Sequence, residues 1–526
     1  MDYTGHFSTK QTSQTEPIPG KQMVQNNASG YVYKISKWEY LDRFLILGTE
    51  GNTYYQSEKT MTIKNAKNVI ECIKEDGLRV IKTTVDISAS GRAPKNNQAI
   101  FVIALCCTFG DQQTKNQAYK AIKEVCRIGT HIFQFCENIQ KLRGWSRGLR
   151  HGVEDYFYRD NIAYDMIKYR QRDGWTHRDV IRLSHPRPKD KIHSNLLKWA
   201  IGREVDQELP EIIQSFERMQ KAESVKAVLN ILKESKLPWE TIPTKFLKDK
   251  KIWEALLPNL PMTALTRNLG RMSSLGMFKS NLQDETKLAV ERLANPEAIK
   301  KSRIHPITAL NAMKVYESGH GVKGSLSWDV CGKIKDALEE MFYLSFGNVE
   351  PTGLNWMLSL DVSGSMTCGT IAGTQITPHE ATAALAMITA RTEKNYEING
   401  FSNTLQKLDI TAKDTLSSAI KKTYRSNFSG TDASIPVSVA YTYNIPVDVF
   451  TIYTDNETWA GHIHTTQALE AYRKKMNRPN AKLIAVGMTA TKFSVVDPDD
   501  PNQMNVVGFD TGSLEAMRYF SLKEMK

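Results

Sequence analysis

The amino-acid sequence predicts two architectures in one chain: an α-solenoid over most of the length and a doubly wound α/β domain at the C-terminal end. Three observations carry this. Between about residues 60 and 345, apolar residues recur at helical spacing in short segments that stop at Gly, Pro or an Asn/Asp cluster. From residue 351 onward, strand-like and helix-like segments alternate. Charge divides at the same place. Residues 351–526 hold 16 Lys+Arg and 17 Asp+Glu, so residues 1–350 carry +13 of a whole-chain net charge of +12.

Taken in order, residues 1–30 are polar, with Pro17 and Pro19, and are expected to form a flexible arm. Residues 31–350 are assigned to the helical domain. Val69, Ile70 and Ile73 make a stripe in 65–75, with Gly77 as a stop. The run 99–107 (AIFVIALCC) is too short to cross a membrane, which needs ~20 residues, and reads as a buried core helix. Ala118, Ala121, Ile122 and Val125 form a further stripe. Leu196, Leu197 and Ala200 form another, and so do Val225, Val228, Leu229 and Leu232. Many short amphipathic helices with short connections stack on their neighbours. Residues 351–526 are assigned to the α/β domain, with strands expected at 355–362, 396–401, 447–454 and 482–486. Helices are expected at 378–394, 432–441 and 465–475. Such alternation gives a parallel sheet covered on both faces.

Composition excludes several classes. At 41% apolar and 24% charged, the chain is too apolar for disorder. The N-terminal residues have no apolar core of the signal-peptide kind. Seven cysteines, an odd number without CxxC spacing, read as free thiols of a reducing compartment, so a cytoplasmic protein is expected, with the nucleus as a second location. A basic excess implies an acidic partner, and no segment reads as a membrane anchor.

The sharpest chemical motif is Asp361-Val362-Ser363-Gly364-Ser365, directly after the strand at 355–360. A carboxylate and two hydroxyls are hard oxygen donors suited to one divalent cation, Mg²⁺ first, with Mn²⁺ or Ca²⁺ as alternatives. Thr431 opens a later helix and Asp455 ends a later strand. In type, order and topology, Asp361, Ser363, Ser365, Thr431 and Asp455 resemble the metal-ion-dependent adhesion site of von Willebrand factor A domains. That resemblance implies one divalent ion with a position left for water or a partner's carboxylate. Asn456 departs from the glycine that many members carry after the Asp. Gly319–Gly324 matches GxGxxG, but a helix is expected before it rather than a strand, so it reads as a loop. His462 and His464 lack a third ligand. The acidic 497–501 (DPDDP) reads as a solvated turn. No catalytic constellation is found, and no enzyme is expected.

The second feature is the stretch 141–200, with 14 Lys+Arg against 7 Asp+Glu. A helix expected over 162–172 puts Lys168 and Arg172 on one face. Thr176 and Asp179 form a capping box. The helix they open ends at His185-Pro186-Arg187-Pro188, a basic loop. Trp145, Tyr164, Tyr169 and Trp175 are available to stack on unpaired bases.

The segments SGRAPK (90–95), GWSRGLR (144–150) and TALTRNL (263–269), followed by the motif at Asp361, resemble the Ro 60 kDa autoantigen family, in which a helical module called TROVE precedes an A domain. The resemblance implies a ring of HEAT-like repeats closed by the A domain. It also implies Y RNA binding on the outer ring surface, and misfolded noncoding RNAs (such as defective 5S rRNA precursors) entering the hole by single-stranded 3′ ends. The family's RNA contacts map best onto Lys168, Arg172 and His185, and the basic segment adds Arg170 and Arg187. A monomer acting in RNA quality control is expected. The competing reading is a metal-dependent protein-binding scaffold in which RNA is secondary. RNA processing ranks last, because the oxygen donors lie in the net-neutral half.

Overall fold

A computed structural model describes residues 11–49, 58–172, 174–205, 209–322, 324–347, 349–371, 374–424 and 430–522. The apolar stripes form helices, with ends displaced by a few residues. The 65–75 stripe belongs to a longer helix, Glu58–Ser90, which breaks once at Asp76 (φ −152°, ψ 84°). The expected stop at Gly77 is therefore a kink. A Cβ on Gly77 would lie 2.3 Å from Thr114 Oγ1, so this glycine lets the helix Gln112–Val125 approach closely. The apolar run forms Asn97–Phe109, with Ile100, Ile103 and Cys107 fully buried. The helices Gln112–Val125, Lys191–Ala200 and Val225–Glu234 are N-capped by Asp111, Asp190 and Ser224. Helices pack mainly on near neighbours in sequence, as in a solenoid.

The array returns to its start, since His305 Nε2 lies 3.1 Å from the Arg92 carbonyl oxygen. Both ends also bond to the α/β domain. The fully buried Arg43 donates to the carbonyls of Thr491 and Phe493, each at 2.8 Å, and to Asn505 Oδ1 at 2.6 Å. At the other end, Lys314 reaches Glu380 at 2.5 Å and Glu339 accepts the Leu416 N–H at 2.9 Å. An array closed by its C-terminal domain requires contacts of this kind.

The described strands, in chain order, are β1 (Met23–Gln25), β2 (Tyr31–Lys34), β3 (Gln171–Arg172), β4 (Trp175–Thr176), β5 (Asn355–Asp361), β6 (Asn395–Phe401), β7 (Leu405–Lys407), β8 (Val449–Thr454), β9 (Lys482–Gly487), β10 (Phe493–Ser494) and β11 (Gln503–Val507). The main sheet has the order β11-β9-β8-β5-β6-β7, parallel except for β7. β8 and β9 are buried throughout because helices cover both faces. The helix Pro378–Thr392 is buried along 378–390, and Ile435–Tyr443 along 435–441. The chain leaves β5 first toward β6 and later returns to β8. The strand order therefore reverses between β5 and β8.

Two further expectations change. Of the expected flexible arm, residues 1–10 lie outside the described residues, and the remainder is docked on the α/β domain. Gln14 is fully buried and donates to Asp432 Oδ1 at 2.7 Å and to the Ile463 carbonyl at 2.9 Å. Asn26 donates to the Thr458 carbonyl at 2.8 Å, and β2 pairs with both β1 and β10. The polar composition supplies partners for buried loop backbone, which would otherwise go unsatisfied. The turn 497–501 is ion-paired rather than merely solvated. Lys21 meets Asp497 at 2.7 Å and Arg473 meets Asp500 at 2.6 Å. All seven cysteines are free.

Candidate functional site

The switch point between β5 and β8 carries the first candidate site. Open α/β sheets bind ligands there, at the carboxyl ends of the strands. Asp361 ends β5 and Asp455 follows β8 directly. Asp361 Oδ2 accepts the Thr454 hydroxyl at 2.7 Å, and Oδ1 accepts the Ser363 N–H at 3.0 Å. The Ser363 and Ser365 hydroxyls lie 3.1 Å apart, and Ser365 hydrogen-bonds the Asp455 carboxylate. Asp361, Ser363, Ser365 and Asp455 are thus brought together. Thr431 is buried on the adjacent loop. Its carbonyl accepts the N–H groups of Trp459 and Ala460 at 2.9 and 3.0 Å, which ties the two loops together, but its hydroxyl bonds to none of the other four.

Burial raises the carboxyls of both Asp361 and Asp455 above the ordinary range, and the neighbouring Asp455 charge raises Asp361 further. Among the described residues, no Lys, Arg or His pairs with either. Two buried carboxylates facing each other without a cation are costly. The donor set of two carboxylates and three hydroxyls has the chemistry of a hard divalent ion. No three His, Cys, Asp or Glu side chains converge among the described residues, so hydroxyls must complete any such site. Asn456 takes φ +67°, a left-handed conformation. Asparagine tolerates that conformation better than most residues, which accounts for its place in a glycine position. His464 faces the docked N-terminal segment, with Nε2 2.8 Å from the Glu16 carbonyl. Gly319–Gly324 follows the helix Pro306–Glu317 and makes an isolated bridge, His320 to Ser327. Within it, Lys323 lies outside the described residues.

The second candidate site is the basic segment, and here the expected helix over 162–172 is corrected. The helix is Ile162–Lys168. It ends as Tyr169 packs on Gly129, where a Cβ would come within 2.5 Å of the tyrosine Cβ. The chain then forms the β3–β4 hairpin through Gly174 at φ +82°. Lys168 and Arg172 therefore do not share a helical face. Lys168 is half-buried, its Nζ 5.4 Å from the ring centroids of Tyr164 and of Tyr169. Arg170 is exposed, with its guanidinium 5.2 Å from the Phe216 ring. Arg172 stands exposed on the hairpin. Trp145, Tyr169 and Trp175 pack against the core instead of standing free.

The capping box forms as expected. The Thr176 hydroxyl donates to Asp179 at 2.6 Å and opens the helix His177–Ser184. Val180, Ile181 and Ser184 face inward, while Arg178 and Arg182 are exposed one turn apart. Sequence reasoning missed this pair, although its i, i+4 spacing was visible. His185 ends the helix in the left-handed conformation (φ 50°). The Arg187 N–H donates to Glu154 Oε1 at 2.6 Å, which fixes the loop and leaves both side chains exposed. An eight-residue helix is ~12 Å long. Arg170, Arg172, Arg178, Arg182 and Arg187, with His185 among them, are thus all exposed from the hairpin to the loop. None of them pairs with a carboxylate among the described residues. On the same helix His177 is buried, its Nε2 3.0 Å from the Tyr156 hydroxyl.

Fold and sites together define a class: a helical-repeat array with an exposed cationic face, joined to an A-type α/β domain with an acidic, hydroxyl-rich switch point. A family model described as the TROVE domain matches residues 24–231 and 232–315, and one described as the Ro60 vWA domain matches residues 355–521. The chain belongs to the Ro60 family. It is 38% identical over 520 residues to a Deinococcus radiodurans relative named RNA-binding protein RO60, covering 97% of each chain. It is 31% identical over 580 residues to a Caenorhabditis elegans protein of the same name, covering 94% of this chain and 90% of the other. The crystal structure of the Deinococcus radiodurans RO (RSR) protein superposes with a TM-score of 0.71 at 37% identity, covering 93% of this chain and all of the other. Among the described residues, no helix is long and apolar enough to cross a membrane.

Proposed function

We propose that this protein binds small noncoding RNAs of the Y RNA class on the cationic row from Arg170 to Arg187. It also takes misfolded noncoding RNAs, such as defective 5S rRNA precursors, by single-stranded 3′ ends through an opening in the helical array. It acts in RNA quality control as a monomeric binder without catalysis, in the cytoplasm and secondarily the nucleus. The observation that carries the reading is the set of exposed arginines at 170, 172, 178, 182 and 187, none of which has a carboxylate partner among the described residues. Such a row attracts phosphate with little sequence discrimination. Structured RNA is read by shape, whereas a free end can enter an opening that a duplex cannot. Both relatives carry the name RNA-binding protein, which supports the RNA-binding part of the reading. Photocrosslinking of a stem–loop RNA tests it. Crosslinks are expected within 168–187, and crosslinks confined to 351–526 would overturn it.

A second activity is favoured by the unpaired carboxylates of the switch point. Asp361, Ser363, Ser365, Thr431 and Asp455 hold one divalent cation, Mg²⁺ first. Its role is to present a coordination position to the acidic residue of a protein partner. If this is the protein's main activity and RNA is secondary, Asp361→Ala abolishes partner capture while RNA affinity is unchanged.

A further inference from the structure

A groove of about 1060 Å³ lies between the docked N-terminal segment, the first turns of the helix Glu58–Ser90 and the chain around β10. Six lysines line it: Lys21, Lys34, Lys37, Lys64, Lys67 and Lys492. Against these six stand three carboxylates, Glu39, Glu71 and Asp499. Two of the three are already engaged. Glu39 accepts the Ser36 N–H at 2.9 Å and its hydroxyl at 2.8 Å, and Asp499 lies 3.8 Å from Lys21. Lys21 also meets Asp497 at 2.7 Å, and Lys37 pairs with Glu75. Lys34, Lys67 and Lys492 are exposed and pair with no carboxylate among the described residues.

The groove continues into a smaller cavity of about 170 Å³, which shares Tyr40, Lys64 and Lys492 with it. Asp455 of the switch point lines that second cavity, so the lysines lead to the oxygen donors. Lys64, Lys67 and Glu71 fall on one face of their helix, at i, i+3 and i+7. That face is ~10 Å long, which matches about three residues of extended chain. Two features select a peptide over a nucleic acid. Grooves for single strands combine cations with open aromatic faces on which bases stack. Here the aromatic residues lining both cavities are Tyr33, Tyr40 and Phe493, only 3%, 7% and 3% exposed. Rings so buried offer no face to a base. The cations lining both cavities are all lysines, point charges without the planar fork that Arg brings to phosphate.

We propose that the groove is a docking surface for an acidic peptide segment of a partner protein. Asp or Glu side chains of that segment lie along Lys34, Lys67 and Lys492. One further carboxylate of the segment reaches the divalent cation of the switch point. The lysine contacts stand on the groove alone, whereas the metal contact rests on the cation-site reading above. The surface uses none of the arginines at 170–187.

Fluorescence anisotropy of the full chain with a labelled octapeptide of alternating Asp and Gly tests the proposal. The same peptide with Asn for Asp and a single-stranded oligouridylate serve beside it. With Mg²⁺ present, the Asp peptide is expected to bind at least 10-fold more tightly than the Asn peptide. Lys67→Glu with Lys492→Glu should weaken it at least 10-fold, without changing the thermal midpoint or stem–loop RNA binding. Should that reversal lower the midpoint, Lys67→Ala with Lys492→Ala carries the same expectation with a loss of at least threefold. EDTA in place of Mg²⁺ should weaken the peptide further. If EDTA changes nothing while the lysine variant loses the peptide, the groove stands and the cation-site reading falls. Equal binding by wild type and lysine variant, or of the Asp and Asn peptides, would overturn the proposal. So would an oligouridylate that displaces the peptide and binds the lysine variant at least 10-fold more weakly, since the groove would then be an RNA site.

Discussion

Replacing Arg172, Arg178 and Arg182 together by Ala should flatten the salt dependence of RNA binding by an amount the geometry fixes. All three side chains are exposed and none is ion-paired among the described residues. Each phosphate neutralised contributes ~0.9 to the slope of log affinity against log salt on a duplex. Three lost contacts lower the slope by about 2.7. Between 50 and 200 mM salt the wild type should therefore lose roughly 40-fold more affinity than the variant. Lys168 supplies an internal control. Its side chain is half-buried, with the ammonium 5.4 Å from the Tyr164 and Tyr169 rings, so Lys168→Ala should change the slope by less than about 0.5. Stability should stay within ~0.5 kcal/mol for each arginine, because each is exposed and none makes an ion pair among the described residues. Filter binding of a stem–loop RNA at five salt concentrations measures all of this. A triple variant with an unchanged slope, or a Lys168→Ala effect equal to that of Arg182→Ala, would refute the assignment of the row.

Three further outcomes follow from the packing. Burial holds His131 and His305 at about 4 and His177 at about 3, below the ordinary imidazole value of 6.5. These groups stay neutral in the folded chain while the unfolded chain takes up protons. The stability they confer is full above pH 6.5 and is lost as pH falls toward 4, by up to ~2 kcal/mol each at pH 5. A thermal midpoint unchanged between pH 7 and 5 would contradict this. Mg²⁺ added after EDTA should raise the wild-type midpoint by about 5–10 °C at a hundredfold excess over its dissociation constant. Asp361→Ala should show no such shift, and a wild type indifferent to Mg²⁺ would remove the metal assignment. Gln14→Ala leaves Asp432 and the Ile463 carbonyl short of a donor and should cost about 2–3 kcal/mol, with faster proteolysis of the N-terminal segment. Unchanged proteolysis would show that the docking is weak.

What could be read locally depended on the range of the interactions. β8 and β9, buried on both faces, appear as continuous apolar runs. The Asp361 motif follows such a run directly, and the helical stripes pack on near neighbours. The helix at 162 was extended too far because its polar end carries no Gly or Pro before 173. The Asp-Gly dipeptide at 173–174 is the sequence signal for the two-residue hairpin that follows the helix end at Lys168. The edge strands β7 and β11 are short and only partly buried, so neither shows a clear apolar pattern. The docking of the N-terminal segment was invisible, because Gln14 and Asn26 bond to loops more than 400 residues away. A buried amide and a solvated one look alike in a sequence until their partners are known.

The most direct test is the RNA recovered with the protein from cells, compared for the wild type, a variant with Arg172, Arg178 and Arg182 reversed to Glu, and Asp361→Ala. Small structured RNA should accompany the wild type and Asp361→Ala, and should be lost from the arginine variant while its fold persists. Equal recovery with the arginine variant, or loss only with Asp361→Ala, would contradict an RNA-binding face built from the helical half.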